Sequence, residues 1–582
     1  MTGARICQNC KQNFIIEPED FQFYKQLDVP PPTWCPDCRF KQRLLFRNEN
    51  SLHKRNCDLC KKEIISVYSP SVSFPVYCQS CWYSDKWDPC NYGKPWNSTK
   101  TFFAQLLELQ HRVPHEAIQG YNNINSEYSN AVNSKNIYLS SVIIESDTVL
   151  YSRYAIQCRD CISCFNLTKC EACIRISRSA FCSRCIDGEL LENCHDTYFT
   201  SYSKGCSYCY GCINLRQKQY HIFNRPYSKN EYERRLSELL KLAYLDQKKL
   251  VDDFTITQMR RGVIHERSVD VEGQEIYFSK NCRHSSMMNF VSDSAYCFEV
   301  TSFSRNNQTV YNLYDCTIVG DIAIGYEMVG GGRSSRIKFG VITDDCMNLE
   351  YCMYCYGCEN LFGCIGMRQK KYCILNQPYS KDEYIKTKDE IIKSMLKNEE
   401  YGKFFPKEFS VFNFNETLRW EFFPLSQELA TNQGYRWNPS ARTQYKITLI
   451  KDKIPSSVDN VSESITKEII ECEHEGNCNE NCTKAFRIHP FEFQLIRKLK
   501  ANLPKLCPSC RFAKHLRNTP IFTAEVRQCQ CAGEKSENNV YKNFSSHIHH
   551  GNNRCLNKFE SVYSSTRPEI IYCEDCYQQE VV

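Results

Sequence analysis

From residue 134 to residue 223 the chain repeats every six positions. Written in rows of six (SKNIYL, SSVIIE, SDTVLY, SRYAIQ, CRDCIS and on to KQYHIF), the first column is mostly Ser or Cys. The fourth is mostly Ile, Val, Ala, Leu or Cys, and the second is mostly polar. Small or apolar residues in fixed columns of a short repeat predict a β-solenoid, in which coils stack and like residues form ladders. Inward columns three apart break plain strand alternation, so a corner must lie between them and the coil must be a multiple of six residues. The pattern returns: RQKQYHIFNRPYSKNEYER (216–234) and RQKKYCILNQPYSKDEYIK (368–386) agree at 12 of 19 positions, which places a second solenoid at roughly 276–377. Both copies exit through a capping box, Ser228-x2-Glu231 and Ser380-x2-Glu383, predicting helices over 229–248 and 381–398. Ser98 to Arg112 reads as a further helix ended by Pro114, and 403–445 is aromatic- and proline-rich with little periodicity.

Composition changes the picture through one residue type. Among 582 residues there are 39 cysteines, many as CxxC, whereas the charged fraction of 24% and the net charge of +6 are ordinary. No apolar leader and no run of eighteen apolar residues are read, so the chain is expected to be cytoplasmic and free of the membrane. In a reducing compartment CxxC pairs point to metal rather than disulfides. The solenoid cysteines are a different matter. CSYCYGC (206–212) and CMYCYGC (352–358) look like cluster ligands, yet all eleven cysteines of 134–223 fall in columns one and four, where Ser, Thr, Gly, Leu and Ile also occur. A ligand does not tolerate such exchange, and a buried thiol packs as a small hydrophobe. The ferredoxin spacing C-x2-C-x2-C-x3-C-P is not met. These cysteines are therefore expected to be scaffold.

The termini carry the metal signal. Cys7, Cys10, Cys35 and Cys38 form one set of paired CxxC knuckles, and Cys57, Cys60, Cys78 and Cys81 a second; two knuckles complete a tetrahedron around Zn2+. The C-terminus repeats the scheme: IEPEDFQFYKQL (16–27) aligns with IHPFEFQLIRKL (488–499), and CPDCRF (35–40) with CPSCRF (507–512). The third set reads as Cys478, Cys482, Cys507 and Cys510, with Cys478 in the place of Cys7. The fourth has Cys555, Cys573 and Cys576, but Asn552 stands where Cys57 would be. Cys529 or Cys531 is expected to complete it, with Cys531 carried as the ligand and His549 or His550 as the alternative. Four structural zinc ions follow.

CQNCKQNFIIEPEDFQFYKQLDVPPPTWCPDCR resembles the bacterial "probable zinc-ribbon" family in its CxxC, the Phe23-Tyr24 pair and the closing Cys35-Pro36-Asp37-Cys38-Arg39. About 35 residues match at the N-terminus and, more loosely, 35 at the C-terminus, where Leu495-Ile496 replaces the FY pair. The longer arrangement resembles large cysteine-rich proteins of candidate-phyla bacteria. The resemblance implies zinc and no particular activity.

The expected fold is multidomain and mainly β: two zinc-ribbon or treble-clef-like pairs at the termini flanking two hexapeptide-period solenoids, each followed by a helix. The boundaries read as ribbons A (1–50) and B (51–95), a helical connector (96–124), solenoid 1 (125–227), a helix and connector (228–275), solenoid 2 (276–379), a helix (380–400), an aromatic connector and linker (401–471), and ribbons A′ (472–520) and B′ (521–582). No P-loop, HExxH or GxSxG is found. Gly330-Gly331-Gly332 reads as a solenoid loop, and His111 and His115 as surface histidines. No catalytic residue or small-molecule substrate is assigned. Basic residues beside aromatics after the CPxCRF motifs suit phosphate contact and base stacking: Arg39, Lys41, Arg43, Phe46, Arg47, Lys54, Arg55, Arg511, Lys514 and Arg517. The leading reading is a non-catalytic, zinc-stabilised protein binding nucleic acid, RNA ahead of DNA. The alternatives are a protein-interaction scaffold working through the solenoid faces and a thiol-rich redox or metal-storage protein.

Overall fold

The computed structural model describes residues 3–582 except 164, 169–172, 175–176, 181–193, 302–309, 312–313, 321, 440–445, 456–457, 459–460, 479, 500, 519–524 and 535–540; side chains throughout 164–193, in part of 301–323, and of Leu499, His515, Arg517 and Asn518 are also outside the description. It is mainly β. Parallel solenoid strands run from Gly120 to Ile222 and from His265 to Ile374, and helices and cysteine modules lie at both ends of the chain.

The regular coil has twelve residues: Ser141 pairs with Arg153 and Ser335 with Met347, so a strand stacks on the one two hexads later. The first coil of each solenoid has eleven, with Gly120 paired to Ala131 and His265 to Ile276. One coil of the second solenoid runs longer, with Phe298 paired to Thr317. The expected corners are residues of positive φ at every third position: Asn136 (56°), Leu139 (46°), Val142 (57°), Glu145 (49°) and Thr148 (59°). That region is uncommon for any residue with a Cβ and most so for a β-branched one. It is held by stacking, because corner amides bond back to the preceding coil: Glu145 N to Val132 O at 3.0 Å, Gln157 N to Ile144 O at 2.9 Å. With a turn after every third residue, columns one and four both face inward. Ser134, Ile137, Ser140, Ile143, Ser146, Val149, Ser152, Ala155, Cys158 and Cys161 are all buried.

Column one is a hydrogen-bond ladder. Ser134 Oγ accepts from Ser146 N at 3.0 Å, Ser146 Oγ accepts from Cys158 N at 3.0 Å, and each hydroxyl donates to the carbonyl two residues earlier. Cys occupies the same bonds: Cys346 Sγ accepts from Cys358 N at 3.4 Å and donates to Asp344 O at 3.2 Å. Thus Ser and Cys interchange here for a polar reason beyond small size. Burial pushes the Cys282 thiol up to about 12 and those of Cys352 and Cys355 well above their usual range, which suits neutral S–H donors. Gly330–Gly332, expected as a loop, lie in the strand Val329–Gly332. A Cβ on Gly331 would stand 2.4 Å from Thr343 O of the next coil.

Both solenoids exit into a helix whose tyrosine packs on the last coil, Tyr232 against Tyr220 and Tyr384 against Tyr372, ring centroids 5.7 Å apart in each. Lys381–Lys397 carries the full capping box. At Lys229–Leu239 the Ser228 half is present, while the Glu231 carboxylate turns to Arg234 and Arg235. The helix expected over 229–248 is two, Lys229–Leu239 and Tyr244–Thr255. The helix expected over 98–112 spans Phe102–Gln110 and is capped by Thr101.

The chain divides into two compact units, residues 1–118 with 264–438 and residues 119–263 with 439–582. Each therefore holds one terminal pair of cysteine modules and one solenoid, and the pairing is crossed. The N-terminal pair belongs with solenoid 2 and the C-terminal pair with solenoid 1. In the first unit Val76–Tyr77 pairs with His115–Glu116, the strand that follows the helix Phe102–Gln110. In the second Ile570–Tyr572 pairs with Met259–Arg261, which follows the helix Tyr244–Thr255. His115 is buried against Phe74, ring centroids 4.1 Å apart, and is not a surface histidine.

Candidate metal centres

Every cysteine module starts from a short antiparallel hairpin. The strand pairs are Ala4–Ile6 with Asn13–Ile15, His53–Asn56 with Glu63–Ser66, Ile470–Glu471 with Ala485–Phe486, and Glu525–Gln528 with Lys558–Ser561. The residue after each first strand is Cys7, Cys57, Cys472 or Cys529, and its N–H bonds the residue before the second strand: Gln12, Lys62, Lys484 and Asn557. The second knuckle opens a helix, with Cys35, Cys78 and Cys573 at N-cap positions. In all four modules the amide of that second-knuckle cysteine donates to the first sulfur, at 3.2 Å for Cys35–Cys7, 3.3 Å for Cys78–Cys57, 3.2 Å for Cys507–Cys472 and 3.1 Å for Cys573–Cys529.

That shared bond fixes the equivalences. The sets Cys7, Cys10, Cys35, Cys38 and Cys57, Cys60, Cys78, Cys81 come together as expected. The third is Cys472, Cys482, Cys507 and Cys510. Cys472, not Cys478, holds the place of Cys7; Cys478 sits on the inserted loop, its sulfur 3.6 Å from that of Cys510. The fourth is Cys529, Cys555, Cys573 and Cys576. Cys529 takes the place of Cys57, and Cys531, carried as the ligand, lies outside this four-sulfur set. Sulfur separations of 3.7 Å (Cys10–Cys35), 3.8 Å (Cys60–Cys78) and 3.8 Å (Cys555–Cys573) match the edge of a tetrahedron with metal–sulfur bonds of about 2.3 Å, which is about 3.8 Å. Burial disfavours ionisation at Cys7 and Cys57, but backbone amides aimed at the sulfurs outweigh it and bring the thiols down to about 6 and about 7.

Both C-terminal modules have an opened first knuckle, so neither shows a CxxC there. Their sequence signal is a short strand ending in Cys: Ile470-Glu471-Cys472, and Glu525-Val526-Arg527-Gln528-Cys529 in register with His53-Lys54-Arg55-Asn56-Cys57.

The residues expected to contact nucleic acid mostly face inward. Arg39 is 3% exposed, Arg43 0%, Phe46 4% and Arg47 9%. Arg39 pairs with Asp315 at 2.6 Å, the Arg43 Nε donates to Thr317 at 3.0 Å, and Arg47 pairs with Glu49 at 2.7 Å. Phe46 packs edge-on to Phe404, 5.4 Å between centroids. Arg55 is tied to Asp58 and Ser69 O, and Lys41 to Asp37. Arg511, the counterpart of Arg39, pairs with Glu492 at 2.6 Å and lies over Tyr151. Lys54 and Lys514 are exposed. The Arg517 side chain lies outside the described residues. Arg39 and Arg43 are drawn inward because their helix, Pro36–Arg43, packs against the solenoid of its unit, whereas Arg47 and Arg55 pair with near neighbours in the chain.

No family model matches the chain, and no curated protein matches it. Among solved structures, a chain described as a "putative acetyltransferase" from Desulfovibrio desulfuricans G20 is 11% identical, with 40% of this chain and 63% of that chain covered and a TM-score of 0.08. The match thus spans less than two thirds of that protein, and a likeness this slight carries no argument. Among the described residues no helix is long and apolar enough to cross a membrane.

Proposed function

We propose that the chain is a non-catalytic scaffold whose four terminal modules are zinc ribbons and whose working surfaces are the outer faces of the solenoids. The observation that carries this reading is the burial of Arg39, Arg43 and Phe46. The basic and aromatic groups best suited to nucleic acid are engaged in holding ribbon to solenoid. What remains outward is repetitive. Tyr208 stacks on Tyr220 at 5.1 Å and Phe278 on Phe290 at 4.8 Å, with Arg267 over the Phe278 ring. Amide side chains run in files, as in Asn122 to Asn133 at 2.9 Å and Asn348 to Asn360 at 3.1 Å. Aromatic rings stacked on successive coils offer anchors for a protein partner. The thiols of columns one and four donate to backbone carbonyls, which favours scaffold over metal storage or redox chemistry.

The test is capture from the native host with the intact chain, read for both protein and nucleic acid. A protein set retained by the wild type and lost from Tyr208→Ala/Tyr220→Ala or Phe278→Ala/Phe290→Ala is the expected result. Nucleic acid that co-elutes with all of these, and is released by Lys54→Glu/Lys61→Glu/Lys62→Glu, would return the reading to nucleic-acid binding through the exposed lysines of ribbon B.

A further inference from the structure

The last module has more ligands than one metal needs. The insertion that opens its first knuckle carries Cys531, His547, His549 and His550, and three of these converge on a second group: Cys531, His547, His550 and Cys576. Cys576 also belongs to the four-sulfur set. Cys531 Sγ lies 3.5 Å from His547 Nδ1 and 3.6 Å from His550 Nε2, His550 Nε2 lies 3.2 Å from Cys576 Sγ, and the two histidine nitrogens are 3.0 Å apart. A tetrahedral zinc with Zn–S about 2.3 Å and Zn–N about 2.0 Å has edges of about 3.5 Å for S–N and about 3.3 Å for N–N.

Hydrogen bonds around the group orient these donors. His547 Nε2 faces the buried Glu580 carboxylate at 3.0 Å, so its proton sits there and the Nδ1 lone pair points into the group. Glu580 is itself fixed by Tyr541 OH and the amides of Phe544 and Ser545. Cys531 Sγ accepts from Asn543 Nδ2 at 3.0 Å, and the Asn543 amide is oriented by Tyr572 OH on its oxygen. The group thus gathers three acceptors, Cys531 Sγ, His547 Nδ1 and Cys576 Sγ, around His550 Nε2. Two sulfurs and two imidazole nitrogens converging in this way form a donor set for a cation. His549 is set differently. Ile548 N bonds the Gln579 Oε1, which turns the Gln579 amide N–H toward His549 Nδ1 at 3.2 Å. The His549 proton then lies on Nε2, aimed at Cys555 (3.6 Å) and Cys576 (3.4 Å), as a donor to sulfur rather than a ligand.

We propose that this module holds two metal ions of the zinc class bridged by the Cys576 thiolate, one in the four-sulfur set and one bound by Cys531, His547 and His550. Four thiolates around one divalent ion carry a net charge of −2; adding the Cys531 thiolate and a second divalent ion brings it to −1, and burying less charge costs less. The proposal rests on the zinc-ribbon reading above and adds a fifth ion to it.

Metal content of the intact chain by native mass spectrometry tests it. Five ions are expected in the wild type and four in His547→Ala/His550→Ala. Four in both overturns the second ion and leaves the ribbon reading standing; fewer than four in the wild type overturns both. Should the variant fail to fold, the wild type exchanged with 113Cd gives an independent answer. The expected spectrum has one N2S2 resonance with scalar coupling to an S4 resonance through the shared sulfur. S4 resonances alone overturn the site, and an uncoupled N2S2 resonance overturns the bridge.

Discussion

The two units build one plan with different tolerances. In residues 1–118 with 264–438 both first knuckles are closed CxxC turns, with Lys11 and Lys61 at φ 63° closing them. In residues 119–263 with 439–582 the same knuckles are opened, and each insertion brings further cysteines or histidines: Cys478 in one, and Cys531, His547, His549 and His550 in the other. The surrounding locks are the same. Asn376 exchanges two bonds with the Ile365 backbone (2.8 Å each), and Asn224 does so with Ile213 (2.9 Å each). Arg368 donates to the carbonyl of Trp82, the residue after Cys81, and Arg216 to the hydroxyl of Tyr577, the residue after Cys576. A knuckle tip is a loop, and lengthening a loop costs little because closure entropy grows slowly with length. The comparison teaches that the candidate ligands vary at the tips while docking to the solenoid is held constant.

The largest effect that would break this comparison is loss of the metal proposed for one module. With zinc held as proposed, Cys38→Ser removes a ligand worth a share of about 10 kcal/mol of metal-coupled folding energy. Phe23 of that module stacks on Tyr314 of solenoid 2 at 3.7 Å. Hydrogen exchange should therefore show protection lost across 264–378 and kept across 119–222. Cys510→Ser should show the reverse. Loss in both solenoids from either variant would mean that the two units do not fold separately.

The docking arginines sharpen it. Arg39 faces two buried carboxylates, Asp315 and Glu327, whereas Arg511 pairs with the single Glu492. Arg43 also reaches Asp315, at 3.6 Å, so it is Glu327 that loses its ion pair in Arg39→Ala. Leaving a buried carboxylate without its partner costs about 3–5 kcal/mol, and with the Asp315 pair weakened as well Arg39→Ala should lower the melting of its unit by more than Arg511→Ala lowers that of the other. Equal and small shifts would mean that water reaches these carboxylates.

Much of this was legible in the sequence, and the misses share a cause. The hexad revealed the solenoid because a coil constrains every third residue locally, and the closed CxxC sets were plain for the same reason. Cys472 was not, since its partner stands ten positions on and the nearer Cys478 matched the expected spacing better; Cys529 was one of two candidates, but with its partner twenty-six positions on it could not be told from Cys531. The inward turn of Arg39 and Arg43 depends on Asp315 and Thr317, nearly three hundred residues away. Crossed pairing of terminal modules with solenoids leaves no local trace at all.

His115 gives the first unit a pH dependence that the second has no counterpart for at the equivalent strand, Met259–Arg261. Burial holds its imidazole down to about 4, so the folded chain binds fewer protons than the unfolded chain between about 6.5 and about 4. Stability contributed there is present above about 6.5 and is lost as the pH falls through that window, by up to about 3 kcal/mol at 1.36 kcal/mol per pKa unit. Melts of the first unit should steepen in pH dependence over that range, and His115→Phe should flatten it. An unchanged slope in the variant would assign the acid sensitivity to other groups.

The smallest effect separates the two accounts of the solenoid cysteines. If column one needs only a small apolar group, Cys346→Ala should cost little and Cys346→Ser should cost more, because it buries a hydroxyl. If column one is a ladder, the order inverts. Ser keeps an acceptor for Cys358 N and a donor to Asp344 O, and should stay within about 1 kcal/mol of wild type, whereas Ala leaves the Cys358 amide without its partner at a cost of about 1–3 kcal/mol. Solenoid 1 supplies the control, since there the native residue is already Ser: Ser146→Cys should be near neutral and Ser146→Ala should cost as much as Cys346→Ala, the orphaned amide being that of Cys158. Denaturant melts of the four variants decide it, and Ala more stable than Ser at position 346 would reject the ladder in favour of packing alone.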